Sequence, residues 1–300
     1  MKICDAHCDT MLKISENIPY DFSFETASSL DGFIQIFACF TDDAEPAPFE
    51  TAVRRIALFH NYISSRNDAE IAYTPTHARE IASKGKVASI LALENCLCLE
   101  ENYENLYSFY NMGIRAISLT WNEENAFAHG CNCNHGGLKP SGVKLIDLAD
   151  KLGVLVDLSH LNEQSFDDVI NLGKGKLFAS HSSARALCDH PRNLTDKQIY
   201  SLYRAGGIIC VCPNPPFISD TFPASKKEYA HHLRYISDLT EGLGVGIGSD
   251  TDGISICCDE LKSTSDLVKF STYLSELGFS NNEISNIFSC NFERFLNILA

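Results

Sequence analysis

The sequence predicts a (β/α)8 barrel of the α/β class with a metal site at the C-terminal ends of its strands, and three observations point there. Eight short runs of β-forming residues recur along the chain, segments of helical spacing alternate with them, and several runs are apolar on both faces. At 300 residues the chain has room for one such barrel, which typically takes about 250. The whole of 1–300 is therefore expected to form a single domain.

The predicted strands are Lys2–His7, Gly32–Phe40, Lys86–Glu94, Ala116–Thr120, Leu152–Ser159, Lys176–His181, Gly207–Cys212 and Val245–Asp250. Val87–Leu93 and Ile208–Val211 are nearly continuous apolar runs, as expected of strands buried on both faces. Helical spacing falls at Phe49–Arg66, Asn105–Asn111, Gly142–Lys151, Glu163–Leu172, Thr195–Arg204 and Lys227–Leu243. Leu194-Thr195-Asp196 and Ser225 supply N-cap chemistry for the last two. Gly130–Gly142, rich in Asn, Cys and Gly, and Pro213–Lys227, rich in Pro and Ser, read as long loops following strands. In a barrel such loops form the rim of the active site.

Composition narrows the function. Hydrophobic residues make up 45% and charged residues 21%, which suits a globular chain with a sizeable core. A formal charge of −15, without clustered Lys and Arg, argues against a nucleic-acid surface and leaves a small molecule as the expected partner. The N-terminus carries no apolar secretory segment and no run is long enough to span a bilayer, so a cytoplasmic protein without membrane attachment is expected. The 13 cysteines, an odd number, then read as reduced thiols. Cys96/Cys98 and Cys131/Cys133 are Cys-X-Cys pairs and do not make a zinc knuckle.

The chemistry lies in where ligand-type residues fall. His7 and Asp9 end the first strand, Glu94 the third, His160 follows the fifth, His181 ends the sixth and Asp250 the eighth. On an extended chain His7 and Asp9 point to one side, about 6.6 Å apart, so both can reach one ion. Any one of these residues has an ordinary explanation as a hydrogen-bonded strand end. Six acids and imidazoles at the same end of successive strands are costly to bury without a cation. Imidazoles and carboxylates suit zinc, with manganese, cobalt or iron as alternatives. Five ligands exceed what one catalytic zinc usually takes, whereas a carboxylate bridging two ions roughly 3.5–4 Å apart uses all of them. Two metals per chain are expected.

These segments resemble the membrane (renal-type) dipeptidases, amidohydrolase-like barrels, and in particular their short bacterial members. The resemblance is carried by Asp5-Ala6-His7-Cys8-Asp9-Thr10, Leu93-Glu94-Asn95, the run from Gly113 to Asn122, and Leu152 to His160. It continues through Ala179-Ser180-His181, His190-Pro191-Arg192-Asn193-Leu194-Thr195-Asp196 and Gly246 to Gly253. It implies that His7, Asp9 and Glu94 hold one zinc, that Glu94, His160 and His181 hold the other, and that Glu94 bridges them. It further implies that Arg192 binds the free carboxylate of a dipeptide and that Asp250, rather than Asp252, is the acid that shuttles a proton. Two positions depart from the family pattern. Trp121 stands where a substrate-contacting histidine is usual, which turns attention to Trp121 and Asn122 as substrate contacts, with His129 of the same loop either a substitute or a surface residue, and Thr251 replaces an aromatic. Asp157 and Ser159 are expected to support the site by hydrogen bonding. His135 could line the pocket, whereas packing or surface roles are expected for His60, His231 and His232.

The expected activity is that of a zinc-dependent dipeptidase that cleaves its amide with a metal-bridging hydroxide. The alternatives are a barrel amidohydrolase acting on another amide, such as an acylated amino acid, and a silent metal-binding homologue. The resemblance also suggests a homodimer.

Overall fold

The computed structural model describes residues 1–256, 258 and 261–297. Nine parallel strands form the sheet: β1 (Lys2–Cys8), β2 (Gly32–Phe40), β3 (Ala69–Ile71), β4 (Val87–Glu94), β5 (Ile114–Ser118), β6 (Leu155–Asp157), β7 (Lys176–Phe178), β8 (Ile209–Val211) and β9 (Val245–Ile247). Eight of them run in the order β7-β6-β5-β4-β2-β1-β9-β8. A bridge between Ala179 and Ile209 spans the remaining gap, with Cys210 N donating to Ala179 O at 2.8 Å. The eight predicted runs are these eight strands.

The ninth strand, β3, lies outside the prediction. It pairs with the lower part of β4, Ala69 to Val87 through Ile71 to Ser89, below the point where β5 joins at Leu91. Three residues are too few to show a period, so nothing in the sequence separates β3 from a loop.

Alternation along the strands sorts side chains into two layers. Cys4, Ala6, Ile34, Ile36, Ala88, Ile90 and Ala116 form one buried cluster with Phe292, Phe295 and Leu296. Phe33, Phe37, Leu91, Leu93, Ile117 and Val156 join the second, which also holds Ile56, Phe59, Leu145, Phe166 and Leu233 from the surrounding helices. Helix Pro48–Ser64 shows how a helix enters that layer. Proline sits in its first turn, where the missing N–H costs nothing, and Ala52, Ile56, Phe59 and Ile63 are buried along one face.

Helix ends account for the differences in boundaries. Leu152, predicted to open a strand, instead ends helix Pro140–Leu152; Gly153, with φ +68°, terminates that helix and the strand shrinks to Leu155–Asp157. The helix predicted to reach Leu243 stops at Leu239, because Glu241 and Gly242 both turn left-handed, at φ +55° and +76°. Thr195 and Ser225 cap their helices as expected, each in a reciprocal capping box, with Gln198 and Glu228. Helices Pro75–Ser83 and Thr264–Glu276 were not foreseen. Thr74 before Pro75 was a readable start signal for the first, since Thr74 Oγ1 accepts from His77 N at 3.1 Å. No helix among the described residues is long and apolar enough to cross a membrane.

Candidate metal centre and active site

The site begins with an irregularity in β1. Asp5 pairs with Gln35 but Cys8 pairs with Phe37, so β1 has one residue more than β2 over this stretch. Such a bulge re-aims side chains. Cys8 joins the outer apolar layer, and His7 faces the carboxylates at the strand ends. Asp9 lies just beyond the strand, held by its N–H on Thr251 O at 2.9 Å, while Asp250 N reaches His7 O at 3.1 Å. The ends of β1 and β9 are thereby stitched together. Gly253 leaves room for the two carboxylates, since a Cβ there would sit 2.2 Å from Asp9 Oδ2 and 2.4 Å from Asp250 Oδ1 and would displace them.

The five expected ligands converge. His7 Nε2 is 3.4 Å from both Asp9 Oδ2 and Glu94 Oε2, while His160 Nε2 and His181 Nε2 lie 3.1 and 3.8 Å from Glu94 Oε1. The two oxygens of Glu94 thus face different groups. Asp250 Oδ1 stands 3.8 Å from His7 Nε2. All six residues are buried, none above 8% exposed. His160 and Asp250 hold φ at +71° and +54°, and Asn95, next to Glu94, is at +74°. Left-handed backbone at non-glycine residues costs on the order of 1–3 kcal/mol each and persists where surrounding structure enforces it.

Hydrogen bonds define which imidazole nitrogens are free. His160 Nδ1 meets Asn122 Oδ1 at 2.9 Å and donates to it, which leaves Nε2 as a bare lone pair. His181 Nδ1 meets Ser180 Oγ at 2.6 Å, and Ser180 in turn donates to Asp157. His160 Nε2 and His181 Nε2 face each other at 2.8 Å. His7 Nε2 and Asp9 Oδ1 are buried without a hydrogen-bond partner. Lone pairs and carboxylates converging in this way are the donor set of a cation site. His7 Glu94 His181 and His7 Asp9 Asp250 are each compact enough to hold an ion.

The electrostatics agree. Burial lowers a histidine, but Glu94 and Asp9 overcome it and raise His7 well above its usual range, so this point favours positive charge. Burial and Arg192 hold His160 down to about 3, and burial with His7 and Arg192 lowers His181 as well. Burial raises Asp250 to about 8, helped by Asp9 and Glu94 and opposed by His7.

Above the cluster lies a cavity of about 490 Å³, lined among others by Glu94, Trp121, Asn122, His181, Arg192 and Asp250. Arg192 is 5% exposed, its Nη2 donates to His181 O at 3.2 Å, its Nε has no partner, and its guanidinium stands 5.3 Å from the Phe217 ring centre. No described carboxylate pairs with it. Trp121 packs edge-on against Phe40 at 5.1 Å and lies 6.2 Å from the His160 ring. Asn122 lines the cavity and also orients His160, a task the sequence did not reveal.

Other candidates lie elsewhere. His129 Nδ1 bonds Gly137 O at 2.8 Å and its Nε2 meets Glu124 at 3.1 Å; neither His129 nor His135 lines the cavity. Asp252 accepts from Thr10 Oγ1 and Asp21 N, both at 2.6 Å, and so ties loops together at the rim. Asp157 accepts from Ser159 N and Ser180 N, in keeping with support by hydrogen bonding. Cys96 and Cys98 are buried in a short turn after Glu94. His190 and Phe217 line the cavity without having been singled out, because chain separation hides that their rings meet, tilted at 43° with centres 4.7 Å apart.

Comparison with known proteins follows the same line. Residues 1–299 match the family model described as membrane dipeptidase, Peptidase family M19. The dipeptidase verJ of Clonostachys rogersoniana is 28% identical over 86% of this chain and 67% of its own length. A Klebsiella pneumoniae protein described as an uncharacterized protein in the pqqA 5′ region is 31% identical over 72% of this chain and 84% of its own. The chain spans only 54–67% of the length of the fungal relatives it matches. A Rhodobacter sphaeroides metallopeptidase, solved with a phosphinate mimic of the dipeptide L-Ala-D-Ala, superposes with a TM-score of 0.90 over 100% of this chain and 99% of its own at 20% identity, which speaks to the fold. With the strand-end cluster already in view, a match running from the first residue to the last but one decides the matter: the chain belongs to the membrane dipeptidase family, Peptidase family M19.

Proposed function

We propose that the protein is a cytoplasmic zinc-dependent dipeptidase, with His7, Asp9 and Glu94 holding one ion and Glu94, His160 and His181 the other. The observation that carries this reading is the division of Glu94, one oxygen toward His7 and the other toward His160 and His181. Two ions bound there would supply a water activated for attack at neutral pH and a Lewis acid for the scissile carbonyl. The verJ relative is named a dipeptidase, and the Rhodobacter structure holds a dipeptide mimic, which favours the same substrate class here. The twelve described cysteines are free thiols, which suits a reducing compartment.

The chain's own groups position the substrate. Arg192, buried and without a carboxylate partner, offers its planar fork to the free C-terminal carboxylate of a dipeptide. That contact places the amide over the cluster and excludes longer peptides, whose next residue would need the space Arg192 fills. Asp250, at the cavity wall and 3.8 Å from His7 Nε2, takes a proton at the attacking side and returns it to the leaving amine. Trp121 and Phe40 line the cavity as an edge-on pair that offers the substrate an apolar surface, and Asn122 keeps His160 oriented.

The test is metal content together with hydrolysis of L,L- and L,D-dipeptides, with and without chelator and added zinc. Two ions per chain and chelator-sensitive cleavage are expected. Arg192→Ala should lower kcat/KM about 10–100-fold on every dipeptide. Metal without dipeptide cleavage, or an Arg192→Ala variant as active as the parent, would point instead to an amidohydrolase of another amide, which the tryptophan at 121 would then help explain. Protein that neither contains nor binds zinc would overturn the reading.

A further inference from the structure

Beneath the cluster, one hydroxyl connects three groups on three strands' ends. Ser180 Oγ lies within hydrogen-bond distance of Asp157 Oδ2, 2.6 Å from His181 Nδ1 and 3.4 Å from His7 Nδ1. A hydroxyl has one proton and two lone pairs. The carboxylate can only accept, so the Ser180 proton goes to Asp157. The lone pairs of Ser180 then face His181 Nδ1 at 2.6 Å and, farther off, His7 Nδ1 and Ser159 Oγ, both at 3.4 Å, so the short contact calls for the His181 proton at Nδ1. The result is that Nε2 of His181, the atom aimed at Glu94, is left as a lone pair.

We propose that Asp157 and Ser180 act together as positioning residues that set the tautomer of His181, so that its Nε2 is available to a metal. The inference rests on the metal reading of the cluster. Asn122 does the same for His160 from the opposite side, through its amide oxygen at 2.9 Å. The Asp157–Ser180 pair differs in being a relay with a direction. Asp157 Oδ1 accepts from Ser159 N at 3.0 Å and from Ser180 N at 2.9 Å, which pins that oxygen as an acceptor and leaves only Oδ2 to face the hydroxyl.

That pinning yields a clean experiment. Asp157→Asn keeps the shape of the side chain, and its oxygen must stay on the two backbone N–H groups. The new amide N–H₂ then points at Ser180 Oγ and reverses the relay, so the hydroxyl proton turns toward His181 Nδ1 and drives the ring proton to Nε2. Zinc affinity, measured by chelator competition on the full chain, is expected to fall about 10–100-fold in this variant. In zinc-free protein, ¹⁵N NMR is expected to show His181 protonated at Nδ1 in the parent and at Nε2 in Asp157→Asn. Ser180→Ala, which leaves His181 Nδ1 without an acceptor, should weaken zinc binding, and Ser180→Thr, which keeps the hydroxyl, should restore it.

Parent-like zinc affinity in Asp157→Asn, or a His181 proton that stays on Nδ1, would overturn the proposal. Circular dichroism of each variant identifies loss of fold, in which case the Ser180 pair decides. The NMR readout is independent of catalysis. A parent that binds zinc yet cleaves no dipeptide would sink the proposed activity and leave the relay standing, and a parent that binds no zinc would still be judged on its tautomer.

Discussion

At the N-terminal ends of the strands, Asn291 donates both amide hydrogens, to Gly242 O and Val245 O at 2.9 Å, and Lys2 pairs with Glu293 at 3.4 Å. Phe292, Phe295 and Leu296 fill the space above them and are no more than 6% exposed. At the C-terminal ends the same sheet gathers His7 Nε2, Asp9 Oδ1 and Arg192 Nε, all buried and none with a partner. One end of the barrel is closed by groups that satisfy each other, and the other is left incomplete in a way that a cation and an anion would complete. The difference teaches that stability and function are written at opposite ends of the same strands, and it should break cleanly under substitution.

The largest effect is expected at the incomplete end. Glu94→Gln removes the negative charge that faces both histidine groups, and activity should drop about 10³-fold or more, since a catalytic metal is worth several kcal/mol of charge stabilisation. Metal analysis of the purified variant should show fewer than two ions. Full metal content with undiminished turnover would remove Glu94 from the centre of the site.

Next is Phe292→Ala at the closed end, which deletes a fully buried ring from the inner cluster. It should cost about 3–5 kcal/mol of stability in urea unfolding. Below its lowered Tm the variant should bind zinc as the parent does. A change in metal content at a temperature where the fold is intact would show that the two ends are coupled.

How far each end was legible follows from what sets it. The clustering of acids and imidazoles could be read because these residues close apolar runs, so a strand pattern alone brings His7, Glu94 and His181 to one edge. The eight barrel strands were readable for the same reason. What could not be read depends on neighbours brought together only by the closed ring: the bulge before Cys8, the contact of the His190 and Phe217 rings, and the hydroxyl of Ser180 between Asp157 and two imidazoles. Asn122 shows both sides. Its place in the cavity was expected, and its bond to His160, 38 residues away, was not.

A third, smaller effect is a pH dependence of stability lodged in the loops at the site. His232 is 1% exposed; its Nδ1 accepts from Ala184 N at 3.1 Å and its Nε2 meets Ile218 O at 3.2 Å, so it braces the segments on either side of Arg192 and Phe217. Burial holds it down to about 4, below the roughly 6.5 of an unfolded histidine. Between those values the unfolded chain binds a proton that the folded one refuses, so stability is fully present above about 6.5 and falls as the pH drops toward 4. The contribution is about 3 kcal/mol at most. His232→Asn should flatten the decline in unfolding free energy between pH 7 and pH 4.5; parallel curves for parent and variant would assign the acid sensitivity to other groups.

The smallest effect separates the loop from the helix that follows it. Thr195 caps helix Asp196–Arg204 in a reciprocal box with Gln198, three residues after Arg192. Thr195→Ala should cost about 1 kcal/mol of stability. The loop itself has its own ties: Arg185 N to Leu194 O at 2.8 Å, Leu194 N to Ser183 O at 2.9 Å, and the Asn193 amide to Phe217 O at 2.7 Å. Those bonds do not pass through the cap, so KM for dipeptides should stay as in the parent while the melting temperature falls. A raised KM would mean that Arg192 is held from the helix, and that even a stabilising device of ordinary kind is, at this end of the barrel, part of the site.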